Sequence, residues 1–516
     1  MREPDWWSLP RRDCAPLKLI HETPGGVTPA RTRNHAHVLI QGFAIAHGLV
    51  VIVFSTRILL RDDLSAESRL AWFLVMLFAP YLGVFLYLLF GEISLGRTVH
   101  QQHNRIFEKL HEIAGAAMGS CDRNLAQHVE REFHTAFRAA SVDGFETTIG
   151  NRAELLPDAA TARSRLIEDI DNATDCVQVL YYIWLDDNTG TNVAKALIRA
   201  AKRGVTVHAM ADGLGSNRFV RSTLWHDMRD AGVNLRVALP LRWVVDTILF
   251  SRIDLRNHRK ITVIDSRITW CGSQNCADPE FRVKAKFAPW VDIMLRFEGP
   301  VVAQCQLLFA SDWLLNSGDE IPASFQMKAD KFEGGFPAQI FADGPTERRG
   351  ATPQLFATLL TLANNEVIIS TPYFVPNTTV LDALCAAAIR GVDVTLILPQ
   401  RNDSWIVAAA SHSHYRQLLD HGVKIFEFRG GVLHAKTLTI DGALSLVGST
   451  NLDLRSFDLN YENDILLRDD AITAAIIDRQ REYISQSDPV TMEHVHSWSY
   501  SRRILNNVVV TIGPIL

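Results

Sequence analysis

Two stretches of this chain decide its fold: HRKITVIDSRITWCGSQN at residues 258–275 and HAKTLTIDGALSLVGSTN at residues 434–451. Both read His-x-Lys, four residues, Asp, six residues, and then Gly-Ser-x-Asn, and a constant offset of 176 residues separates them. A lone His-x-Lys is a weak pattern. The complete pattern, found twice with one spacing, predicts that a single structural unit is duplicated within the chain.

The sequence around the motifs also indicates a duplication. Residues 196–207 and 383–394 match at 8 of 12 positions without a gap. Around each copy we predict a strand, a helix ended by a glycine, and a second strand, at 176–184, 192–203 and 205–211, and again at 366–374, 378–390 and 392–399. This alternation predicts an α/β fold. We expect two tandem repeats, residues 146–330 and 331–516, packed as a pseudo-symmetric pair.

The N-terminal part has a different composition. Residues 38–56 and 70–91 contain no Asp, Glu, Lys or Arg, and each stretch is long enough to cross a bilayer. We therefore predict a two-helix transmembrane hairpin at 38–91, after a polar segment at 1–37 and before a helical connector at 92–145. A pair of buried core helices is the alternative. Arginines flank both stretches nearly equally, so charge does not fix the orientation.

Composition excludes several classes of protein. The formal net charge is −5, which disfavours nucleic acid as a partner because phosphate backbones attract clustered Lys and Arg. The seven cysteines form no Cys-x-x-Cys pair, so neither a disulfide framework nor a zinc site is predicted. Free thiols favour a reducing compartment, and we expect the catalytic part on the cytoplasmic side of a membrane.

The repeated motif is suited to phosphodiester chemistry. His258 and Lys260 are two residues apart, as are His434 and Lys436, so on a strand each pair points to one face. Lysine offers a compact positive charge to a phosphate, and an imidazole can act as nucleophile or as general acid and base. If the repeats bring both pairs together, one histidine attacks phosphorus while the other protonates the leaving alkoxide. This scheme requires no metal and no cofactor.

Further motif residues have predicted roles. Hydroxyl and amide groups after each glycine turn are expected to donate to phosphate oxygens: Ser273, Asn275, Ser449 and Asn451. Asp292 and Glu462 follow the two motifs and are expected to orient the histidines. Asp265 and Asp441 complete the motifs and are counted with the catalytic residues, although their position at strand ends before turns also fits a structural role.

These motifs resemble those of the phospholipase D superfamily, and the chain is similar to bacterial cardiolipin synthases over nearly its whole length. The similarity rests on the paired motifs, the two N-terminal apolar stretches, residues 297–300 and 371–376, and residues 451–457 with the sequence NLDLRSF. It implies a phosphohistidine intermediate, with His258 the expected nucleophile and His434 the expected general acid and base. It also implies that two phosphatidylglycerol molecules are condensed into cardiolipin with release of glycerol, at the bacterial inner membrane.

Three other functions remain open from the residues. A phospholipase D that transfers to water and forms phosphatidic acid would use the same groups. A nucleic-acid phosphodiesterase and a non-catalytic membrane scaffold are disfavoured by the membrane segments and by the two intact motifs. The segment after Asn275 departs from the family pattern, and its basic residues Arg282, Lys284 and Lys286 either meet anionic headgroups or form a solvated loop. Headgroup preference and oligomeric state are not predicted.

Overall fold

The computed structural model describes residues 30–61, 64, 66–91, 96–115, 129–240, 254–317, 325, 327 and 330–512. Most of the predicted polar segment at 1–37, together with Cys14 and Cys121, lies outside these residues. The last part of this segment is helical, since α1 begins at Ala30.

The described chain alternates strands and helices, as predicted for an α/β fold. The strands are β1 Thr148–Leu155, β2 Cys176–Tyr181, β3 Thr206–Asp212, β4 Asn234–Ala238, β5 Arg256–Asn257, β6 Lys260–Ile264, β7 Ile268–Gly272, β8 Trp290–Val291, β9 Met294–Glu298, β10 Phe336–Asp343, β11 Glu366–Ser370, β12 Phe374–Val375, β13 Asp393–Pro399, β14 Lys424–Phe428, β15 Val432–Leu433, β16 Thr437–Ile440, β17 Leu444–Gly448, β18 Leu452–Asp453, β19 Asn460–Arg468 and β20 Ser487–Val490.

The α-helices are α1 Ala30–Leu59, α2 Ala66–Phe78, α3 Pro80–Leu86, α4 Gly96–Ala114, α5 His134–Ala140, α6 Ala159–Asp171, α7 Asn188–Lys202, α8 Asn217–Val220, α9 Thr223–Asp230, α10 Val301–Ser317, α11 Ala351–Leu362, α12 Thr378–Ile389, α13 Trp405–Asp420, α14 Leu454–Asp458, α15 Asp470–Ser485, α16 Met492–His496 and α17 Tyr500–Ile512. Gly204 and Gly391 follow α7 and α12 with φ of 92° and 94°, which is the left-handed cap predicted at both places.

One sheet runs through both repeats. Outward from the centre, the first repeat contributes β1, β9, β7, β6, β2, β3 and β4, and the second contributes β10, β19, β17, β16, β11, β13, β14 and β20. The two halves join where β1 pairs antiparallel with β10, Thr148 opposite Ala338. Equivalent strands therefore occupy equivalent positions on the two sides of this joint, and the predicted duplication is confirmed as a pair of like-folded repeats.

Apolar side chains fill both repeats and the space between them. One cluster lies under the helices of the first repeat, a second under the helices of the second repeat, and a third contains residues of both. Phe309 and Trp313 of α10 and Ile476 of α15 belong to the third cluster, beside Ile261 of β6. Burial across the joint holds the two motif strands in one body.

The N-terminal helices only partly follow the prediction. Within α1, Gln41–Leu59 is long and apolar enough to cross a membrane, with a mean hydropathy of 1.8 and 11% of that stretch buried. The second predicted span is divided, because α2 ends at Phe78 and α3 begins with Pro80. Proline lacks an N–H and disfavours helical conformation in the residue before it, and Ala79 has φ −141°.

Candidate active site

The backbone around His258 is held by the second repeat. β5 pairs in parallel with the start of β19, Asn257 opposite Tyr461, and the His258 N–H donates to the Tyr461 carbonyl at 2.9 Å. The position of His258 is thus fixed by the first residues of β19, which also include Glu462.

The backbone around His434 repeats this arrangement with the repeats exchanged. β15 pairs in parallel with β8, Leu433 opposite Val291, and the His434 N–H donates to the Val291 carbonyl at 2.8 Å. Val291 immediately precedes Asp292. Each histidine therefore lies beside the carboxylate of the other repeat.

The side chains pair in the same crossed way. His258 Nδ1 lies 2.8 Å from Glu462 Oε2, and His434 Nδ1 lies 2.5 Å from Asp292 Oδ1. A carboxylate only accepts hydrogen bonds, so each Nδ1 carries the proton and each Nε2 keeps its lone pair. Asp292 and Glu462 are thus in position for the orienting role predicted for them.

The hydroxyl groups of Ser273 and Ser449 have different hydrogen-bond partners from those predicted. Ser273 Oγ donates to Asp292 Oδ1 at 2.7 Å, and Ser449 Oγ donates to Glu462 Oε2 at 2.6 Å. The serine hydroxyls therefore hold the carboxylates, and their protons are not available to a phosphate. The predicted phosphate-binding role is corrected for Ser273 and Ser449.

Both motif lysines are buried next to the histidines. Lys260 Nζ donates to the His258 carbonyl and Lys436 Nζ donates to the His434 carbonyl, each at 2.7 Å. Burial lowers the pKa of Lys260 to about 8 and that of Lys436 to about 7. The positive charge of Lys260 lowers the pKa of Lys436 further, whereas nearby carboxylates oppose the shift of both lysines. Each lysine keeps further N–H donors for an anion entering between the repeats.

The histidines are neutral near pH 7. Burial lowers the pKa of each imidazole to about 4, and the paired carboxylate opposes this shift without reversing it. Burial also raises the pKa of Glu462 and Asp292, but their interactions with the histidines, serines and lysines outweigh it and hold each pKa below its ordinary value. Neutral imidazoles beside ionised carboxylates are prepared to attack or to take up a proton.

The motif aspartates are not part of this cluster. Asp265 follows β6, and its carboxylate accepts from the N–H groups of Thr174, Asp175 and Cys176 at 2.8–3.2 Å. Asp441 holds residues 364–366 at 2.8 Å in the same manner. Strand rise places Asp265 about 16 Å along the strand from Lys260. The structural role considered for these two residues fits their position, and the catalytic role does not.

A cavity of about 390 Å³ opens beside both histidines. The ring of Tyr182 lies against His258 with centroids 4.9 Å apart, and Trp290 lies against His434 at 4.5 Å. The lining contains both apolar and polar residues. The apolar ones include Ile183, Leu185, Phe281 and Val407, and the polar ones include Asn451, Asp453, Arg455 and Asn460.

The two predicted amides line this cavity, but their hydrogen bonds differ. Asn275 Oδ1 accepts from the Ile183 N–H at 3.4 Å. Asn451 Nδ2 donates to Ser456 Oγ at 3.1 Å, while Asn451 Oδ1 is buried and has no hydrogen-bond partner among the described residues. The indole N–H of Trp290 is likewise buried and unpartnered within the described part of the chain. Asn460 Oδ1, also on the cavity lining, is a third buried atom without a partner among the described residues. The cavity thus offers one donor and two acceptors that the described part of the protein does not satisfy.

Two family models of known proteins match this chain. A family model described as "Cardiolipin synthase, PLD-like domain" matches residues 166–313 and 356–483, and one described as "Phospholipase_D-nuclease N-terminal" matches residues 49–92. The chain belongs to the cardiolipin synthase family of phospholipase D-like proteins.

Full-length relatives agree with this family. The chain is 34% identical over 458 residues to cardiolipin synthase A of Proteus mirabilis (strain HI4320), which covers 87% of this chain and 93% of the relative. It is 33% identical over 490 residues to cardiolipin synthase A of Edwardsiella ictaluri (strain 93-146), covering 93% and 99%. The crystal structure of phosphatidylserine synthase from Haemophilus influenzae Rd KW20 shares the fold, with a TM-score of 0.57 over 74% of this chain and all of that chain at 15% identity.

Sequence reasoning missed a buried ion pair in this member of the family. Arg259 Nη1 lies 2.6 Å from Asp312 Oδ1, and Arg259 Nε donates to the Glu462 carbonyl at 3.1 Å. Asn257 Nδ2 also donates to Asp312. The equivalent of Arg259 in the second motif is Ala435, so this support exists on one side of the site only. The one available signal was an arginine between the two motif residues His258 and Lys260.

Proposed function

We propose that this chain is a cardiolipin synthase that transfers a phosphatidyl group from one phosphatidylglycerol molecule to another and releases glycerol. Family membership supports the substrate class. The observation that carries the mechanism is the crossed pairing of two histidines with two carboxylates around one cavity, with a buried lysine bonded to the carbonyl of each histidine.

In the first half-reaction, His258 or His434 attacks phosphorus through Nε2, and the phosphorus–oxygen bond to glycerol breaks. We propose that the bound phosphodiester anion raises the pKa of both imidazoles, because a negative charge favours the protonated form. Because its pKa is raised, the second histidine takes up a proton and gives it to the departing glycerol oxygen. The phosphatidyl group is then covalently held on the first histidine.

In the second half-reaction, the second histidine, now neutral, takes the proton of a hydroxyl group on another phosphatidylglycerol. That oxygen attacks phosphorus, the phosphorus–nitrogen bond breaks, and cardiolipin is formed. Lys260 and Lys436 stabilise the charge on the phosphate oxygens, and Asp292 and Glu462 stabilise each imidazolium as it forms. The unpartnered donor on Trp290 suits a phosphate oxygen, and the unpartnered acceptors on Asn451 and Asn460 suit a glycerol hydroxyl. No resident cofactor is required.

We propose the following membrane organisation and domain bounds. α1 forms one span, and α2, α3 and the π-helical turn Tyr87–Gly91 together form the second span of the hairpin at 38–91. The hairpin is anchored in the bacterial inner membrane, with the connector at 92–145 and the repeats at 146–330 and 331–516 on the cytoplasmic side. Buried free thiols at all five described cysteines fit that compartment.

Product analysis tests the proposal. Purified, detergent-solubilised protein receives phosphatidylglycerol in the presence of a metal chelator, and lipids and free glycerol are quantified. We expect cardiolipin and glycerol in equal amounts, and neither product from a His434→Ala variant that still elutes as folded protein. Phosphatidic acid in place of cardiolipin would contradict the transferase and assign water as the acceptor.

A further inference from the structure

Exposed apolar side chains of the two repeats are concentrated on three segments, two of which also carry residues that line the cavity. From residue 129 to 512, nine large apolar side chains are exposed among those that the structure describes. Six of the nine lie on the Arg282–Phe287 turn, at the start of α13, or on α17: Val283, Trp405, Tyr500, Ile504, Leu505 and Val508. We call this set the docking rim. Single exposed apolar residues are ordinary, but a grouped set indicates an interaction surface.

The last helix has two apolar faces, and only one is covered. Val509 packs with Ala409 and Ala410 of α13, whereas Ile504 is 63% exposed. Trp498, just before α17, contacts His412, so α17 runs antiparallel to α13. The end of α17 therefore lies next to Trp405, and the adjoining residues Ser404 and Val407 line the active-site cavity.

Basic side chains accompany this apolar surface. Arg502 and Arg503 are exposed at the start of α17, and Arg282 and Lys286 are exposed on either side of Val283. Lys284 in the same turn forms an ion pair with Asp403 at 2.5 Å. Apolar and basic side chains together complement an anionic lipid surface, whereas a protein partner would not require this combination.

The membrane-spanning part leaves the repeats at the same edge of the sheet. Leu110 of α4 packs in the core cluster shared by both repeats. Nearer the start of α4, His103 Nε2 lies 3.0 Å from Glu347. Glu347 follows the end of β10, and the last residue of β10, Asp343, is opposite Glu462 in the sheet. Followed towards its first residue, α4 thus runs from the core to the strand ends that lie beside the histidines. The membrane helices precede α4 in the chain.

We propose that the docking rim lies on the surface of the same membrane that α1 crosses. The apolar side chains enter the boundary between headgroups and acyl chains, and the arginines meet lipid phosphates. Phospholipid then passes into the cavity along Val283 and Trp405 without leaving the bilayer. This inference rests on the proposed function for its lipid substrate, but the surface contact is testable without turnover.

The test places a fluorophore on the full-length protein in vesicles. Ile504→Cys carries an environment-sensitive dye in a chain whose Cys14 and Cys121 are serine, since the five other cysteines are buried. Ile389→Cys is the matched control, because Ile389 is also an exposed isoleucine, at 69%, at the end of α12 and away from the docking rim. The vesicles contain phosphatidylcholine and phosphatidylglycerol with brominated acyl chains. We expect quenching of the dye at position 504 and none at position 389.

Equal quenching at both positions would overturn the proposal. So would a shielded but unquenched dye at position 504, which would indicate a second copy or another segment of the chain on this surface. In addition, the Ile504→Asp/Val508→Asp variant is expected to lose activity about tenfold on vesicles while keeping it in detergent. Undiminished activity on vesicles would contradict the docking role. Absence of cardiolipin from the unmodified protein in detergent would refute the proposed function and leave the quenching result unaffected.

Discussion

At the scale of single residues, the site depends on groups that each repeat supplies to the other. Glu462 orients His258, and Asp292 orients His434. The serines that follow the motif glycines hold these carboxylates in place. An isolated repeat would contain a histidine without its carboxylate, so the chemistry belongs to the pair.

Changing either orienting carboxylate to its amide is expected to lower kcat strongly. In Glu462→Gln, the amide no longer stabilises an imidazolium, and its NH₂ group competes with the donors on Ser449 and Asn460. We expect kcat to fall by about 10²–10⁴-fold with a smaller change in KM, because the carboxylate touches histidine and not substrate. Initial rates with phosphatidylglycerol measure both constants.

Asp292→Asn is the matched variant and is expected to behave alike. Wild-type kcat in either variant would contradict the crossed arrangement, since the affected histidine would then work without its partner.

Replacing Lys436 by methionine is expected to abolish activity and to raise thermal stability. The folded-state pKa of about 7 lies below the ordinary lysine value of 10.5, so between these values the unfolded chain binds a proton that the folded chain does not. Stability therefore rises with pH between about 7 and 10.5. Below pH 7 the buried lysine is charged in the folded state, and its destabilising effect is greatest there. Methionine removes it.

The melting temperature of Lys436→Met in detergent is therefore expected to exceed that of the unmodified protein most at pH 7 and below. The difference should shrink as the pH approaches 10.5. A lower melting temperature for the variant at neutral pH would show that the lysine charge is well paired in the folded state.

At the scale of elements, the sequence predicted one strand–helix–strand unit in each repeat, because apolar runs and glycine stops are local signals. The structure contains these units as β2, α7 and β3 and as β11, α12 and β13, although β2 and β11 end earlier than predicted, at Tyr181 and Ser370. The sequence did not predict that β5 pairs with β19 or that β15 pairs with β8, since these contacts join segments from different repeats through tertiary packing. The hydrogen bonds of Ser273 to Asp292 and of Ser449 to Glu462 form within one repeat, but they depend on how the turn after each motif packs against the following segment, so both serines were assigned to phosphate instead. The spacing of His258 and Lys260 predicted that the two residues lie close together, and Lys260 Nζ donates to the His258 carbonyl.

The aspartate of each motif acts on strand ends. Asp265 ties the end of β6 to the start of β2 through backbone N–H groups, so Asp265→Asn should lose about 1–3 kcal/mol of stability, because the amide NH₂ would face donors. We expect kcat of the folded variant to remain within about twofold of the original, as the side chain is remote from the histidines.

Melting curves and rates on the same sample separate the two effects, and Asp441→Asn provides the equivalent change in the second repeat. Loss of kcat by several orders of magnitude with an unchanged melting temperature would restore the catalytic role first given to Asp265.

At the scale of the whole molecule, one sheet joins two repeats so that their histidines share a cavity. The duplication and the α/β fold were readable from the sequence, as was the first apolar helix that is long enough to cross a membrane. The division of the second apolar stretch at Pro80 was not predicted, because proline is tolerated within membrane helices and its effect here depends on packing. The central claim at this scale is that two repeats form one active site.

The stoichiometry of the covalent intermediate tests this claim most directly. Protein mixed with phosphatidylglycerol is quenched in denaturant at alkaline pH, and the attached phosphatidyl group is counted and located by peptide mass spectrometry. A single shared site predicts at most one group per chain, attached to His258 or to His434 and never to both in the same chain. Two groups on one chain, or a group attached to any other residue, would contradict it.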